Sequence, residues 1–290
     1  MKAIRTSILE EYENKIYTTK TINRPFFSTD FHFHEECQLV YVIESEGKRI
    51  VGDSVEHFES GELIFLGPNI PHVWHNEKGL LTKDIAEVNA RSISVFFNPQ
   101  RLNDLLTQFG DFKKFEEIVV KARRGIKFYG NTKTDLIDLV YKITEEKDDF
   151  SRMVLLINIL KMLSKTSEYE FLATSGYVNN YKLKDRDRMD KVFKYVFDNF
   201  SKEMNLETVS NLIGMNKQAF CRFFKERTQK TFIEFVNEVK IAQACKLIAN
   251  KDMLIGNVAL ECGFYTISNF NKFFKLMMGI TPRQYRQQLL

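Results

Sequence analysis

Hydrophobic and polar positions follow two different periods along this chain, and the change falls near Pro99. Between Phe31 and Phe97, residues 38–43, 47–51, 61–66 and 92–97 form short runs rich in β-branched or aromatic side chains, separated by Gly, Asp or Pro. Several short strands at such spacing predict a barrel or sandwich. Beyond Pro99, Leu136, Ile137, Leu139, Val140 and Ile143 recur at helical spacing, as do Val154, Leu155, Ile157, Leu160 and Leu163. Two helices are predicted, at about 134–147 and 151–166; they close the first domain, and their surplus apolar stripe, with Leu156 on its outer side, predicts a dimer contact. Residues 173–187 are polar without an apolar period and read as a linker.

Everything after Arg188 is helical in pattern, and it repeats. Val209-Ser-Asn-Leu-Ile-Gly214 matches Val258-Ala-Leu-Glu-Cys-Gly263, and Phe220, Phe223, Phe224 and Lys225 match Phe270, Phe273, Phe274 and Lys275 with one residue inserted between the two halves of the match. Each copy predicts a short helix ended by a left-handed Gly, a tight turn, and a second helix opened by a polar cap, Asn216 or Thr266. That is helix-turn-helix geometry twice over.

A DNA-reading helix docks one apolar face on its own domain and turns long polar side chains the other way. In the first copy Phe220, Phe223 and Phe224 dock, leaving Lys217, Gln218, Cys221, Arg222 and Lys225 outward; in the second, Phe270, Phe273 and Phe274 dock, leaving Ile267, Ser268, Asn269, Lys272 and Lys275 outward. Arg222 and Lys272 suit guanine O6 and N7, and Gln218 and Asn269 suit adenine N6 and N7. A solvated helix face explains any one of these residues, but their recurrence in both copies favours DNA. Residues 232–248 contain no Gly or Pro and predict one helix of roughly 26 Å, able to hold the two units in major-groove segments about 34 Å apart.

Charge sharpens this division. The net charge of the 290-residue chain is only +4, yet residues 1–180 carry 23 Lys+Arg against 27 Asp+Glu, and residues 181–290 carry 19 against 11. The basic part has the balance of a polyanion binder. All five histidines, His32, His34, His57, His72 and His75, lie in the other part. A 44% apolar, 28% charged composition with 13 Gly and 5 Pro excludes disordered, collagen-like and low-complexity classes. No apolar run approaches a membrane span, and Lys2 and Arg5 lead into Glu10, Glu11 and Glu13 without the apolar core of a secretory signal, so a cytoplasmic protein without a membrane partner is expected. Cys37, Cys221, Cys245 and Cys262 show no CxxC spacing and are expected to be free thiols.

The string Lys240-Ile-Ala-Gln-Ala-Cys-Lys-Leu-Ile, then Ile255 to Val258-Ala259, Gly263-Phe264, Ser268-Asn269-Phe270-Asn271-Lys272-Phe273-Phe274-Lys275, Gly279-Ile-Thr-Pro282 and Tyr285-Arg286 resembles the AraC/XylS family of bacterial transcription regulators. The resemblance covers about the last hundred residues; Lys240 stands where the family usually has Arg, and Ser210 where the first unit usually has Ala. It implies that Asn216, Lys217, Gln218, Cys221, Arg222 and Lys225, with Thr266, Ser268, Asn269, Lys272 and Lys275, face double-stranded DNA.

Strand alternation puts His32 and His34 on one face, with Gln38 four residues on, and the run from Gly61 to His72 brings a third imidazole. These segments resemble the two cupin motifs, in which His-x-His, a carboxylate and a later His surround a metal; here Gln38 holds the carboxylate position. Three imidazoles suit Zn²⁺ or another transition ion. Equally, His32, His34, Gln38 and His72 line a pocket for a sugar or other small effector, with Trp74, Phe26 and Phe33 as apolar walls. Regulators of this family with a cupin-like domain commonly bind an effector there without metal, which favours the second occupant and requires no cofactor. His57 and His75 are expected at the surface.

The expected fold is α+β in two domains: residues 1–172 a cupin-like β-barrel with two C-terminal helices, for effector binding and dimerisation; residues 173–187 a linker; and residues 188–290 an all-α double helix-turn-helix domain. The expected function is a sequence-specific transcription regulator controlled by a small effector such as a sugar. It would act as a homodimer, with RNA polymerase a further candidate partner, and would not be an enzyme. Two other readings compete. A metal-dependent cupin enzyme with an accessory DNA-binding domain lacks its carboxylate ligand, and a nucleoid-type scaffold would bind DNA with little sequence preference.

Overall fold

A computed structural model describes residues 15–24, 26–27, 32–76, 90–178, 186–228, 230–249 and 253–288. The N-terminal half runs β1 (Tyr17–Arg24), β2 (Cys37–Glu44), β3 (Gly47–Val51), β4 (Ser54–Phe58), β5 (Leu63–Leu66), β6 (His72–Asn76), β7 (Ala90–Phe97), α1 (Pro99–Leu106), α2 (Lys113–Ala122), β8 (Ile126–Phe128), α3 (Gly130–Glu145), α4 (Asp149–Lys165) and β9 (Tyr169–Phe171). The helical half follows with α5 (Arg186–Asn199), α6 (Leu206–Leu212), α7 (Lys217–Thr228), α8 (Phe232–Ala249), α9 (Ile255–Glu261), α10 (Ile267–Met278) and α11 (Pro282–Gln288).

The strands form a six-stranded sheet in the order β1-β7-β2-β5-β8-β9 and a three-stranded sheet in the order β4-β3-β6. Among the described residues these sheets are not closed into the expected barrel. Alternation along the strands explains the two-layer result. On β2 and β5, Leu39, Leu63 and Phe65 point into a core shared with α1–α4, whereas Val40, Val42, Ile64 and Leu66 point toward Val51, Phe58 and Trp74 of the small sheet. The large sheet is thus buried on both faces, with helices on one side and the small sheet on the other.

Four helices, not two, cover the large sheet. The extra pair begins where Asn98 caps α1, accepting from the Arg101 amide at 3.0 Å just before Pro99 at the first helical position. Leu156, expected on an outer stripe of α4, is buried in the core at 3% exposure. The outward apolar residues of α4 are Phe150, Met153, Val154 and Ile157. Of the segment expected as a linker, Ala173 and Thr174 are tied down: the Arg124 guanidinium donates to the Ala173 carbonyl, and Thr174 donates to Asp53. Residues 179–185 and Phe31 lie outside the described residues.

The outer face of the small sheet is covered by the helical half. Ile50, Val55 and Val73 pack with Val192, Phe193, Val196 and Phe197 of α5 and with Phe235 and Val239 of α8. Polar contacts border this apolar patch. Lys246 on α8 pairs with Glu46 at 2.8 Å, Lys230 reaches the Asp53 carbonyl and Glu238, and the Lys48 ammonium lies 4.2 Å from the Phe200 ring centre. His75, expected at the surface, is buried here; His57 is partly buried.

Candidate functional site

Two helix-turn-helix units form as the repeat requires. In the first, α6 is capped by Asn205 and Gly214 adopts φ +67°; the Asn216 side chain then accepts from the Ala219 amide at 2.8 Å and opens α7. In the second, Gly263 adopts φ +74° and Thr266 accepts from the Asn269 amide at 3.2 Å to open α10. The two glycines differ in surroundings. A side chain at Gly214 would meet open space, whereas at Gly263 it would lie 2.6 Å from the Ser201 carbonyl carbon, where the second unit abuts the segment after α5. Lys240 on α8 donates to the Gly263 carbonyl at 2.7 Å, holding that turn against the spacer helix.

Phe220, Phe224, Phe270 and Phe274 are fully buried, each side chain contributing about 1.5–3 kcal/mol by leaving water. That anchoring aims the opposite faces outward: Gln218, Cys221, Arg222 and Lys225 on α7, and Ser268, Asn269, Lys272 and Lys275 on α10, are all exposed. Lys217 is exposed and pairs with Glu207 at 3.0 Å, while Asn216 and Thr266 commit their side-chain oxygens to the caps. The eighteen-residue α8 separates the two units, a length of roughly 27 Å.

The histidine cluster lies between the sheets. His32 and His72 exchange backbone hydrogen bonds of 3.1 and 2.9 Å, which draws the His-x-His segment against the start of β6. The ring centres of His32, His34 and His72 lie 4.4 to 6.0 Å apart, and one ligating nitrogen from each falls within 4.8 Å of the others. Trp74 meets His72 edge-on at 5.6 Å. Gln38 donates to Ser94 Oγ at 3.0 Å and sets its Oε1 3.3 Å from His34 Nε2. Phe33 is partly buried, but Phe26 is half exposed and does not serve as an inner wall.

Burial pushes the His34 imidazole down to about 4, against smaller opposing effects of the Glu36 carbonyl and the Gln38 side chain. His72 is held well below the usual value by burial first, and then by the neighbouring His32 and His34 rings. Both rings therefore stay neutral at physiological pH. Their Nδ1 atoms face the Glu36 and Ile70 carbonyls at 2.9 and 2.8 Å, and because a carbonyl can only accept, each Nδ1 carries the hydrogen. A lone pair is left at each Nε2. That of His72 is buried with no hydrogen-bond partner among the described residues, so the donor set fits a transition ion.

The sequence reading missed three residues of this region. Glu36 is a buried carboxylate whose Oε2 lies 3.6 Å from His34 Nδ1, and Ser94 orients Gln38. His75 could have been found, because alternation along β6 that turns His72 and Trp74 inward must turn Val73 and His75 toward the helices.

Residues 209–288 match the family model of a helix-turn-helix domain. The chain is 20% identical over 265 residues to the HTH-type transcriptional activator RhaR of Cronobacter sakazakii, covering 89% of this chain and 86% of that protein. It is 22% identical over 261 residues to the HTH-type transcriptional activator RhaS of Escherichia coli O1:K1, covering 88% and 87%. Among solved structures, ToxT of Vibrio cholerae aligns over 95% of this chain and 99% of its own, with 15% identity and a TM-score of 0.36.

Proposed function

We infer the working of this protein from its family: the chain is an AraC-type transcription regulator. Residues 188–290 read DNA with α7 and α10, residues 1–172 carry the effector site, and residues 173–187 join them. The observation that carries this is the recurrence of one exposed polar face on two recognition helices, each anchored by the same phenylalanine pattern. Arg222 and Lys272 are the base-reading pair, Gln218 and Asn269 support them, and Lys225 and Lys275 suit phosphates.

Control by an effector has a physical route through β6. His72 and Trp74 lie on its inner face beside His32, His34 and Gln38, while Val73 and His75 on its outer face pack against α5. A ligand drawn to the inner face moves the strand on which the helical half rests. Relatives named as activators along almost nine-tenths of this chain favour regulation over the cupin-enzyme reading. The exposed Phe150, Met153, Val154 and Ile157 on α4 suit a second copy of the chain, giving a homodimer.

Selection of bound sequences from a random duplex library, followed by footprinting, tests the DNA reading. Two protected segments about one helical turn apart per chain are expected. Uniform binding to every sequence would leave the nucleoid-type reading in its place.

A further inference from the structure

We propose that the effector of this regulator is a divalent first-row transition ion, held by Nε2 of His34 and His72 and a ring nitrogen of His32 with Gln38 Oε1 as the fourth ligand. This inference rests on the regulator reading above and names the chemistry its inner site takes.

Three observations converge on an ion. The first is orientation. In His34 and His72 a backbone carbonyl accepts from Nδ1 at 2.9 and 2.8 Å, which locks both rings with their lone pairs at Nε2. Ligating histidines are fixed in this way by their outer nitrogen, which sets both tautomer and aim. The second is the inward geometry. His72 Nε2 is buried and lacks a hydrogen-bond partner among the described residues, a costly arrangement for a polar atom with nothing to receive it. Gln38 Oε1 stands 3.3 Å from His34 Nε2. Two ligands of a tetrahedral ion with bonds of about 2.1 Å stand roughly 3.4 Å apart. One ligating nitrogen from each of the three rings lies within 4.8 Å of the others.

The third observation is charge. Imidazole and amide donors are neutral, so a dication here needs an anion nearby. Glu36 supplies it: its carboxylate is 3% exposed and lies 3.6 Å from Nδ1 of the His34 ring. The Nδ1 hydrogen itself goes to the Glu36 backbone carbonyl, with the carboxylate lying just behind the same ring. Three imidazoles with one oxygen suit zinc, cobalt, nickel or copper over magnesium or calcium, which prefer all-oxygen shells.

Occupancy would then act through β6. Drawing His32 and His72 onto one ion tightens the junction between the His-x-His segment and β6, whose other face carries Val73 and His75 against α5.

The test uses the full chain, stripped with a chelator and titrated with cobalt(II). One equivalent should bind and develop the visible bands of a four-coordinate site, and zinc should displace it. His34→Gln and His72→Gln should lose this binding by roughly a hundredfold or more, and Glu36→Gln by roughly ten- to a hundredfold. Gln38→Glu restores an anionic ligand and should tighten binding by about tenfold or more. This gain cannot arise from misfolding. Cobalt or zinc should also change the affinity of the wild-type chain for its selected DNA by roughly 5- to 150-fold, and that of His72→Gln not at all. Absence of stoichiometric cobalt, equal binding by His72→Gln, or no tightening in Gln38→Glu overturns the site. Stoichiometric binding with no change in DNA affinity overturns the effector role and leaves the DNA-reading conclusion standing. Failure of the metal-free and metal-loaded chain alike to select any DNA overturns the regulator reading and this inference with it.

Discussion

The imidazole of His75 on β6 stacks on the ring of Phe197 on α5, with centroids 4.6 Å apart and planes 21° from parallel. Both side chains are buried, and Val73 lies beside them on the same strand face. The strand that bears His72 is therefore itself part of the helical half's packing surface. Val73→Asp buries a charge without a partner in that surface and should cost several kcal/mol locally. A single calorimetric transition should separate into two, one for each half of the chain; one unbroken transition of unchanged midpoint would show that the contact carries no stability.

Specificity should divide between the two recognition helices. Arg222→Ala should cost about 1–3 kcal/mol at the selected site and relax the base preference in one protected segment, and Lys272→Ala should do the same in the other. Competition against random DNA checks this. Equal losses on selected and random sequence would assign both side chains to phosphates.

The two turn glycines should respond unequally to alanine. At Gly214, φ +67° and open surroundings leave only the backbone cost of a left-handed alanine, about 1–2 kcal/mol. At Gly263 the added methyl also meets the Ser201 backbone, which cannot rotate away. Denaturant melts should show Gly263→Ala as the more destabilised by at least about 1 kcal/mol.

Acid should weaken the metal-free protein earlier than its carboxylates alone would dictate. His34 has its folded-state value lowered to about 4 from the ordinary 6.5 or so, and His72 is lowered as well. Between these values the unfolded chain binds protons that the folded chain does not, so this contribution is complete above about pH 6.5 and is lost as pH falls toward 4. Each such histidine steepens the decline by up to about 1.4 kcal/mol per pH unit. Melts of wild type and His34→Gln across this range check the sign, with the shallower slope expected in the variant.

Charge on α4 should separate assembly from folding. Ile157→Glu, on the exposed face, should yield a folded monomer by light scattering, whereas Leu156→Glu should destabilise the core by several kcal/mol. A dimer of unchanged mass in Ile157→Glu would move the interface elsewhere.

The helical half was legible because its signals are local. Gly214 and Gly263, the caps Asn216 and Thr266, and the phenylalanine triplets each act within a few residues, and duplication presents them twice. The His-x-His segment and His72 were legible for the same reason, as motifs. What escaped was decided by distant pairing. The division of the strands into two sheets depends on which edges meet, and β4 and β8 are too short to announce their partners. Leu156 lies one residue from Ile157 on α4, yet their burial is opposite, because the angular position of the apolar stripe is set by what α4 packs against. Glu36 has no motif of its own, and only the fold places its carboxylate behind His34.

Helix α8 has a further consequence, one of angular phase. It is uninterrupted from Phe232 to Ala249, and Lys240 fastens its flank to the turn of the second unit. Each residue inserted into such a helix advances the second reader by about 1.5 Å and turns it by about 100° about the helix axis. One added residue would thus swing α10 away from the face that α7 presents. Seven added residues make almost two full turns and return it to that face, roughly 10 Å farther along. If α7 and α10 each read one DNA segment as proposed, the distance between those segments could therefore change only in steps of whole helical turns.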